Sequence, residues 1–315
     1  MSLALFTHAE MAAHDPSVHA EYGGHPERPE RLAAVLGALD DSDLRFERRN
    51  APLATPDDIE RVHSPAFIDA VFAASPQTGR THLDPDTVMS PGSLNAALRA
   101  AGAVVAAVRG LACGEFERAF CAVRPPGHHA TPTQAMGFCL FSNVAVAARA
   151  AQAKGLARVA VVDFDVHHGN GTQAAFETDP RLFFASVHQH PLYPGTGAES
   201  EHGMGNILNA QVPPNAPRAL WRKRFEGLME GVEAHRPDLI LISAGFDAHV
   251  RDPLAQQSLE AEDFAWATYA VASVARQTSK GRIASSLEGG YDLEALGRSA
   301  LAHVRALQGG RGADG

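Results

Sequence analysis

Five short apolar runs, each breaking off into glycine, histidine or acidic residues, constrain this chain more than any other feature. They occupy residues 119–123, 159–166, 182–187, 239–244 and 283–287, and lead in turn into RPPGHH, DFDVHHGNG, His188, GFDAH and EGGY. Runs of this length between polar or glycine residues read as buried strands of a parallel sheet. Patterns with helical spacing lie between them at residues 93–111, 143–155, 216–235 and 262–277, and shorter helices are predicted at 29–39 and 65–74. Strands alternating with helices imply an α/β fold, an open and mainly parallel sheet with helices on both faces. A chain of 315 residues suffices for one large domain, expected over residues 1–308, with a flexible glycine-rich tail at 309–315.

Composition excludes several classes. With 45% hydrophobic and 20% charged residues the chain is ordinary globular protein, and no run is expected to be long and apolar enough to span a membrane. His8 and Glu10 interrupt the N-terminal apolar run, which lacks a basic flank, so a signal peptide is not expected and a cytoplasmic location is. Cys113, Cys121 and Cys139 follow no disulfide or metal spacing, suit a reducing compartment, and are expected as small buried hydrophobes. A formal net charge of −9 argues against nucleic-acid binding and weakly favours cationic substrates. Residues 75–92 and 189–217 are expected to be irregular, the second forming a wall of the active site through HQHPLYPGTG and GMGN.

Every conspicuous polar cluster follows a predicted strand on its C-terminal side, and in open α/β sheets ligands bind beyond the carboxyl ends of the strands. Five segments therefore converge on one site. In a strand, alternate residues share a face, so Asp163, Asp165 and His167 would point together toward a cation. Asp247, from another strand, would complete with Asp165 and His167 an oxygen, oxygen, nitrogen set that leaves a position for water, the mark of a catalytic metal site. The plainer alternative is a capping network with one buried salt bridge. His128 and His129 suit general base and general acid work beside such a centre, oriented by Asp163 and Asn170. Tyr291, after Gly289 and Gly290, would present its phenol to the cleft as a donor to an oxyanion, or else be a plain core tyrosine.

Taken together, HPERPERL, RPPGHHA, GFCLFSN, VDFDVHHGNGTQ, PGTG, SAGFDAHVRDPL and LEGGYDL resemble, in order and spacing, the histone deacetylase superfamily. That superfamily shares the arginase-like α/β fold and includes bacterial acetylpolyamine amidohydrolases and acetoin-utilisation proteins. The resemblance implies zinc, or ferrous iron in the cell, on Asp165, His167 and Asp247, with His128 and His129 as the tandem catalytic histidines and Tyr291 polarising the substrate carbonyl. It implies a structural potassium ion on the side chains of Asp163 and Ser186 and the backbone carbonyls of Asp165, His167 and Val187. Phe138, beside Gly137, and Tyr193 match the aromatic pair flanking the substrate stem, where a second phenylalanine is usual. Arg28 matches an arginine near an internal exit channel. Asn170 stands where the class I branch has aspartate, and with LEGGY resembles class II enzymes. Leu254 stands where the polyamine-specific branch has a glutamate.

The implied activity is zinc-dependent hydrolysis of acetyl or related short acyl groups from amines, with acyl-lysine side chains as the expected substrate and acetylated polyamines as the alternative. An arginase-like ureohydrolase is a rival, weakened because His249 stands where a bridging carboxylate would be needed. A non-catalytic acyl-lysine binding module is another, and it would be expected to lack Tyr291 or a metal ligand. Partners expected are an acylated lysine peptide or protein, or an acetylated polyamine, as substrate and a second copy of the chain, with no nucleic acid and no membrane.

Overall fold

The computed structural model describes residues 2–17 and 24–309, so all of the expected tail except Gly309 lies outside the described residues. The strands are β1 (Leu3–Thr7), β2 (Glu47–Asn50), β3 (Thr81–Asp84), β4 (Thr87–Met89), β5 (Arg118–Cys121), β6 (Val159–Asp163), β7 (Leu182–Gln189), β8 (Ile207–Val212), β9 (Leu239–Ala244) and β10 (Ile283–Leu287). Eight of them form one parallel sheet in the order β2-β1-β5-β10-β9-β6-β7-β8, while β3 and β4 pair as a separate antiparallel hairpin.

The five runs legible in the sequence are the five contiguous central strands, β5-β10-β9-β6-β7. A central strand of a covered parallel sheet is buried on both faces, and every residue of these five is buried. Of the sheet strands absent from the sequence reading, β2 and β8 are its two edges, while β1, apolar and buried, lies between β2 and β5. β2 reads ERRN and is largely exposed, and β8, with an interrupted burial pattern, lies inside the segment 189–217 expected to be irregular. The hairpin β3–β4 likewise falls in 75–92. Four boundaries shift: β5 starts at Arg118 and ends at Cys121, β6 ends at Asp163 rather than running to residue 166, and β7 runs on to Gln189.

The helices are α1 (Glu30–Asp40), α2 (Pro56–Ile59), α3 (Pro65–Ala74), α4 (Ser93–Cys113), α5 (Asn143–Ala153), α6 (Asn170–Phe176), α7 (Arg218–His235), α8 (Ala261–Thr278) and α9 (Leu293–Leu307). α4 packs on α5, while α1, α9, α8 and α7 pack in succession, so the sheet is covered on both faces. α4 is, against expectation, long and apolar enough to cross a membrane, but 72% of its most apolar window is buried inside the fold, as befits a core helix. Its last residue, Cys113, is exposed, unlike the buried Cys121 and Cys139, because the helix ends there at the surface.

In-register pairing places Cys121, Ser286, Ser243, Asp163, Ser186 and Asn209 in one row across the sheet, near the carboxyl ends of its strands. All six side chains are buried. The row marks the edge from which the site rises.

Close approach of loop and helix gives a stability test. A methyl on Gly102 in α4 would lie 2.1 Å from the Pro52 carbonyl oxygen, whereas one on Gly227 in α7 would meet nothing within 4 Å. Gly227→Ala is expected to stabilise by up to about 1 kcal/mol. Gly102→Ala is expected to destabilise by about 1–3 kcal/mol despite the same gain in helix propensity. Urea unfolding of the two variants measures the opposite signs.

Candidate active site

β6 stops at Asp163 because its own carboxylates bend the chain. Asp163 Oδ1 accepts from the Asp165 amide at 3.1 Å, and Asp165 Oδ1 accepts from the His167 amide at 2.9 Å. Aspartates that bond the backbone two residues on make turns of this kind. The strand alternation expected to align Asp163, Asp165 and His167 is therefore replaced by two successive turns, which still bring the three to one place.

Asp247, just beyond β9, joins them. Its Oδ2 lies 3.1 Å from His167 Nδ1, which is also 3.1 Å from Asp165 Oδ1, and one donor atom from each of the three residues lies within 4.8 Å of the others. Burial pulls the His167 imidazole down, but the two carboxylates prevail and push it up to about 10. Burial and the charge of Asp165 push Asp247 up. The remaining oxygens are held by backbone: Asp165 Oδ2 accepts from Gly289 N at 2.8 Å and Asp247 Oδ1 from Val166 N at 2.9 Å. Only glycine leaves room for these carboxylates. A methyl on Gly245 would lie 2.0 Å from Asp165 Oδ2, and one on Gly289 would lie 2.1 Å from Asp247 Oδ2.

The tandem histidines stand beside this set, their rings 4.0 Å apart. His128 Nδ1 is 3.0 Å from Asp163 Oδ2, and His129 Nδ1 is 2.8 Å from Asn170 Oδ1. The difference in partner matters. Burial lowers the affinity of both rings for a proton, but the charges of Asp165 and Asp163 lift His128 to about 10. His129, facing a neutral amide, is driven well below its ordinary value by burial and by charge on His128 and His167. Two titratable groups forced apart in this way are suited to acid work on one side and base work on the other. Gly137 packs against His129: it adopts a φ of +57°, and a methyl on it would lie 2.3 Å from the His129 ring.

Around these groups lie the ring residues. Tyr193 sits over His129 at 5.1 Å and His167 at 6.3 Å between centroids, and Phe138 lies 6.0 Å from Tyr291. Burial raises the Tyr291 phenol well above its ordinary pKa, so it stays protonated. Ser186 is the register partner of Asp163, Val187 follows it in β7, and the Ser186 hydroxyl lies 3.0 Å from His188 Nδ1. Leu254 is half-buried on the loop after β9.

Arg28 is only half-buried, whereas Arg31, a turn further along the same motif, is fully buried behind Tyr291 with its guanidinium 4.8 Å from the ring centroid. Arg31 donates to the carbonyls of Gly290 at 2.6 Å and Glu288 at 2.5 Å, and to Glu27 at 3.0 Å. Two more contributors went unread. Glu288, pushed up to about 7 by burial, accepts from the amides of Gly127 at 2.6 Å and His128 at 3.2 Å, and Asp252 accepts from the Tyr291 amide at 2.7 Å. Both lie inside quoted motifs, LEGGY and RDPL, but a carboxylate that binds only backbone has no sequence partner to reveal it.

A family model described as the histone deacetylase domain matches residues 25–307. The chain belongs to the histone deacetylase family. It is 40% identical over 308 residues to a probable deacetylase of Methanothermobacter thermautotrophicus, covering 94% of this chain and 90% of that one. It is 38% identical to a histone deacetylase-like amidohydrolase of Pseudomonas aeruginosa, covering 92% and 78%. Among solved structures, the HDA15 HD domain superposes with a TM-score of 0.90 at 34% identity, over 97% of this chain and 91% of that chain.

The donor chemistry fits a divalent metal: two buried carboxylates, one imidazole and a glycine-lined cradle. Asp247→Ala is expected to weaken Zn²⁺ retention by about a hundredfold or more, since loss of outer partners alone costs about 10–100-fold. Competition against a chelating dye measures it, and a variant that keeps wild-type affinity would remove Asp247 from the ligand set.

Proposed function

We propose that the chain is a zinc-dependent amidohydrolase that removes acetyl or related short acyl groups from amines, with acyl-lysine side chains as its substrate class. The observation that carries this reading is the buried Asp165, His167 and Asp247 set standing beside two histidines driven in opposite directions. The membership of the family supports it.

Asp165, His167 and Asp247 would hold zinc, or ferrous iron, and the metal would supply Lewis acidity toward the amide carbonyl and the attacking water. Asp163 and Ser186, partners across β6 and β7, would take the structural potassium ion together with the carbonyls of Asp165, His167 and Val187. His129, neutral and oriented through Nδ1 by Asn170, accepts the proton of the attacking water. Tyr291 donates its phenolic proton as a hydrogen bond to the oxyanion that forms on the carbonyl. His128, held protonated by Asp163, delivers a proton to the amine as the C–N bond breaks, giving a carboxylate and a free amine. Phe138 and Tyr193 flank the apolar stem that carries the acyl group.

Leu254, standing where the polyamine-specific branch has a glutamate, favours lysine over polyamine as the substrate, because an apolar side chain there offers nothing to a second ammonium. Turnover of an acetyl-lysine peptide, an acetylated polyamine and longer acyl amides by the zinc-loaded protein tests the class directly; hydrolysis of none of them would sink the proposal.

Two variants dissect it. Tyr291→Phe is expected to leave zinc content and hydroxamate affinity intact while kcat falls about a hundredfold or more, as loss of one oxyanion donor does. An unchanged kcat would take Tyr291 out of the reaction. Leu254→Glu would add a carboxylate worth about ten- to a hundredfold in kcat/KM toward a cationic substrate. The ratio of kcat/KM for N8-acetylspermidine to that for acetyl-lysine peptide should therefore rise, and a ratio equal to wild type at low salt would show that Leu254 does not govern access.

A further inference from the structure

Tyr291 belongs to no helix or strand. It lies between β10 and α9, directly after two glycines, the second at a φ of +119°. Such a backbone has little conformational preference of its own, so an ordered phenol at this point needs fixing from outside. Its ring is covered by Arg31 and Phe138, and its amide donates at 2.7 Å to Oδ2 of Asp252, which is only 7% exposed. The other oxygen of Asp252 accepts from the Leu254 amide at 3.0 Å. One residue earlier, Arg251 donates to Asp292 at 3.1 Å and to Glu294 at 2.9 Å, and Asp292 caps α9 by accepting from the Ala295 amide at 2.9 Å. Residues 251 and 252 thus grip the chain on both sides of the tyrosine.

We propose that Asp252 is a positioning residue: by binding the amides of Tyr291 and Leu254 with one buried carboxylate, it sets the phenol at the reacting carbonyl and couples it to the segment carrying Leu254. The inference rests on the reading of Tyr291 as the carbonyl donor. A carboxylate accepting two amide hydrogens makes stronger bonds than a neutral acceptor, and its removal leaves the buried Tyr291 amide, and the half-buried Leu254 amide, without this acceptor. Misplacing a group by about 1 Å at a reacting centre can cost about a hundredfold in rate.

The test is a double-mutant cycle on acetyl-lysine peptide. Asp252→Ala should lower kcat by about ten- to a hundredfold with KM, zinc content and hydroxamate affinity little changed. Asp252→Asn, which keeps one carbonyl acceptor, should fall between the two and covers the case in which the alanine variant does not fold. In the Tyr291→Phe background, with no phenolic hydroxyl left to place, either change should cost less than about threefold. Hydrogen exchange over residues 287–293, which does not depend on turnover, should quicken in Asp252→Asn while the central strands stay protected. Equal losses in the two backgrounds, or unchanged exchange, would overturn the proposal. Full kcat in Tyr291→Phe would overturn the role of Tyr291, and with it the catalytic half of the coupling, while the exchange measurement decides separately whether Asp252 orders the segment.

Discussion

Three carboxylates, Asp163, Asp165 and Asp247, are buried within a few ångströms of one another at the carboxyl edge of the sheet. Burying one unpaired charge costs several kcal/mol, so the surrounding structure follows from the need to compensate three. Amides of Asp165, His167, Val166 and Gly289 point at the carboxylates. His128 and His167 supply the nearest positive charge. The glycines at 245 and 289 are dictated by the same crowding, because a methyl at either would occupy the space of a carboxylate oxygen. A divalent cation is the compensation that such a donor set suits best.

A second buried charge network supports the first from below. Glu27 accepts from Arg124 at 2.5 and 2.6 Å and from Arg31 at 3.0 Å, with His14 Nε2 at 3.3 Å. Arg31 passes the linkage on to the carbonyls of Glu288 and Gly290, and Glu288 holds the amides of Gly127 and His128. A fully buried network of this kind contributes less to stability than to a single arrangement of the backbone. Here that arrangement joins the segment before α1, the loop bearing the histidines and the turn before Tyr291. These are three pieces of chain more than 90 residues apart in sequence.

The central sheet was legible because burial on both faces demands unbroken apolar runs, and a run such as Leu239–Ala244 has few other readings. Edge strands escape this logic. Glu47–Asn50 is polar because one side meets solvent, and Ile207–Val212 mixes buried and half-buried positions within a glycine-rich stretch. The candidate metal cluster was legible through residue type and spacing, although Asx turns rather than the expected strand alternation aim Asp165 and His167. Arg31 went unread because the motif holds two arginines, and only the fold shows that this one is fully buried at the start of α1.

The sequence by itself determined the α/β alternation, the place of the polar clusters after the strands, and the types of side chain that meet there, since these depend on local periodicity and on which groups can bind a metal or move a proton. The pairing of His128 with Asp163 and of His129 with Asn170 was likewise expected from the motifs and is present in the fold, whereas tertiary structure alone decided the strand order and the contacts of Glu288 and Asp252. Glu288 reaches an amide 161 positions away and Asp252 one 39 positions away, and a backbone amide is a partner that every residue carries alike. A side chain that recognises another leaves a mark in composition, whereas one that recognises the peptide bond shows its purpose only when the fold brings the two together.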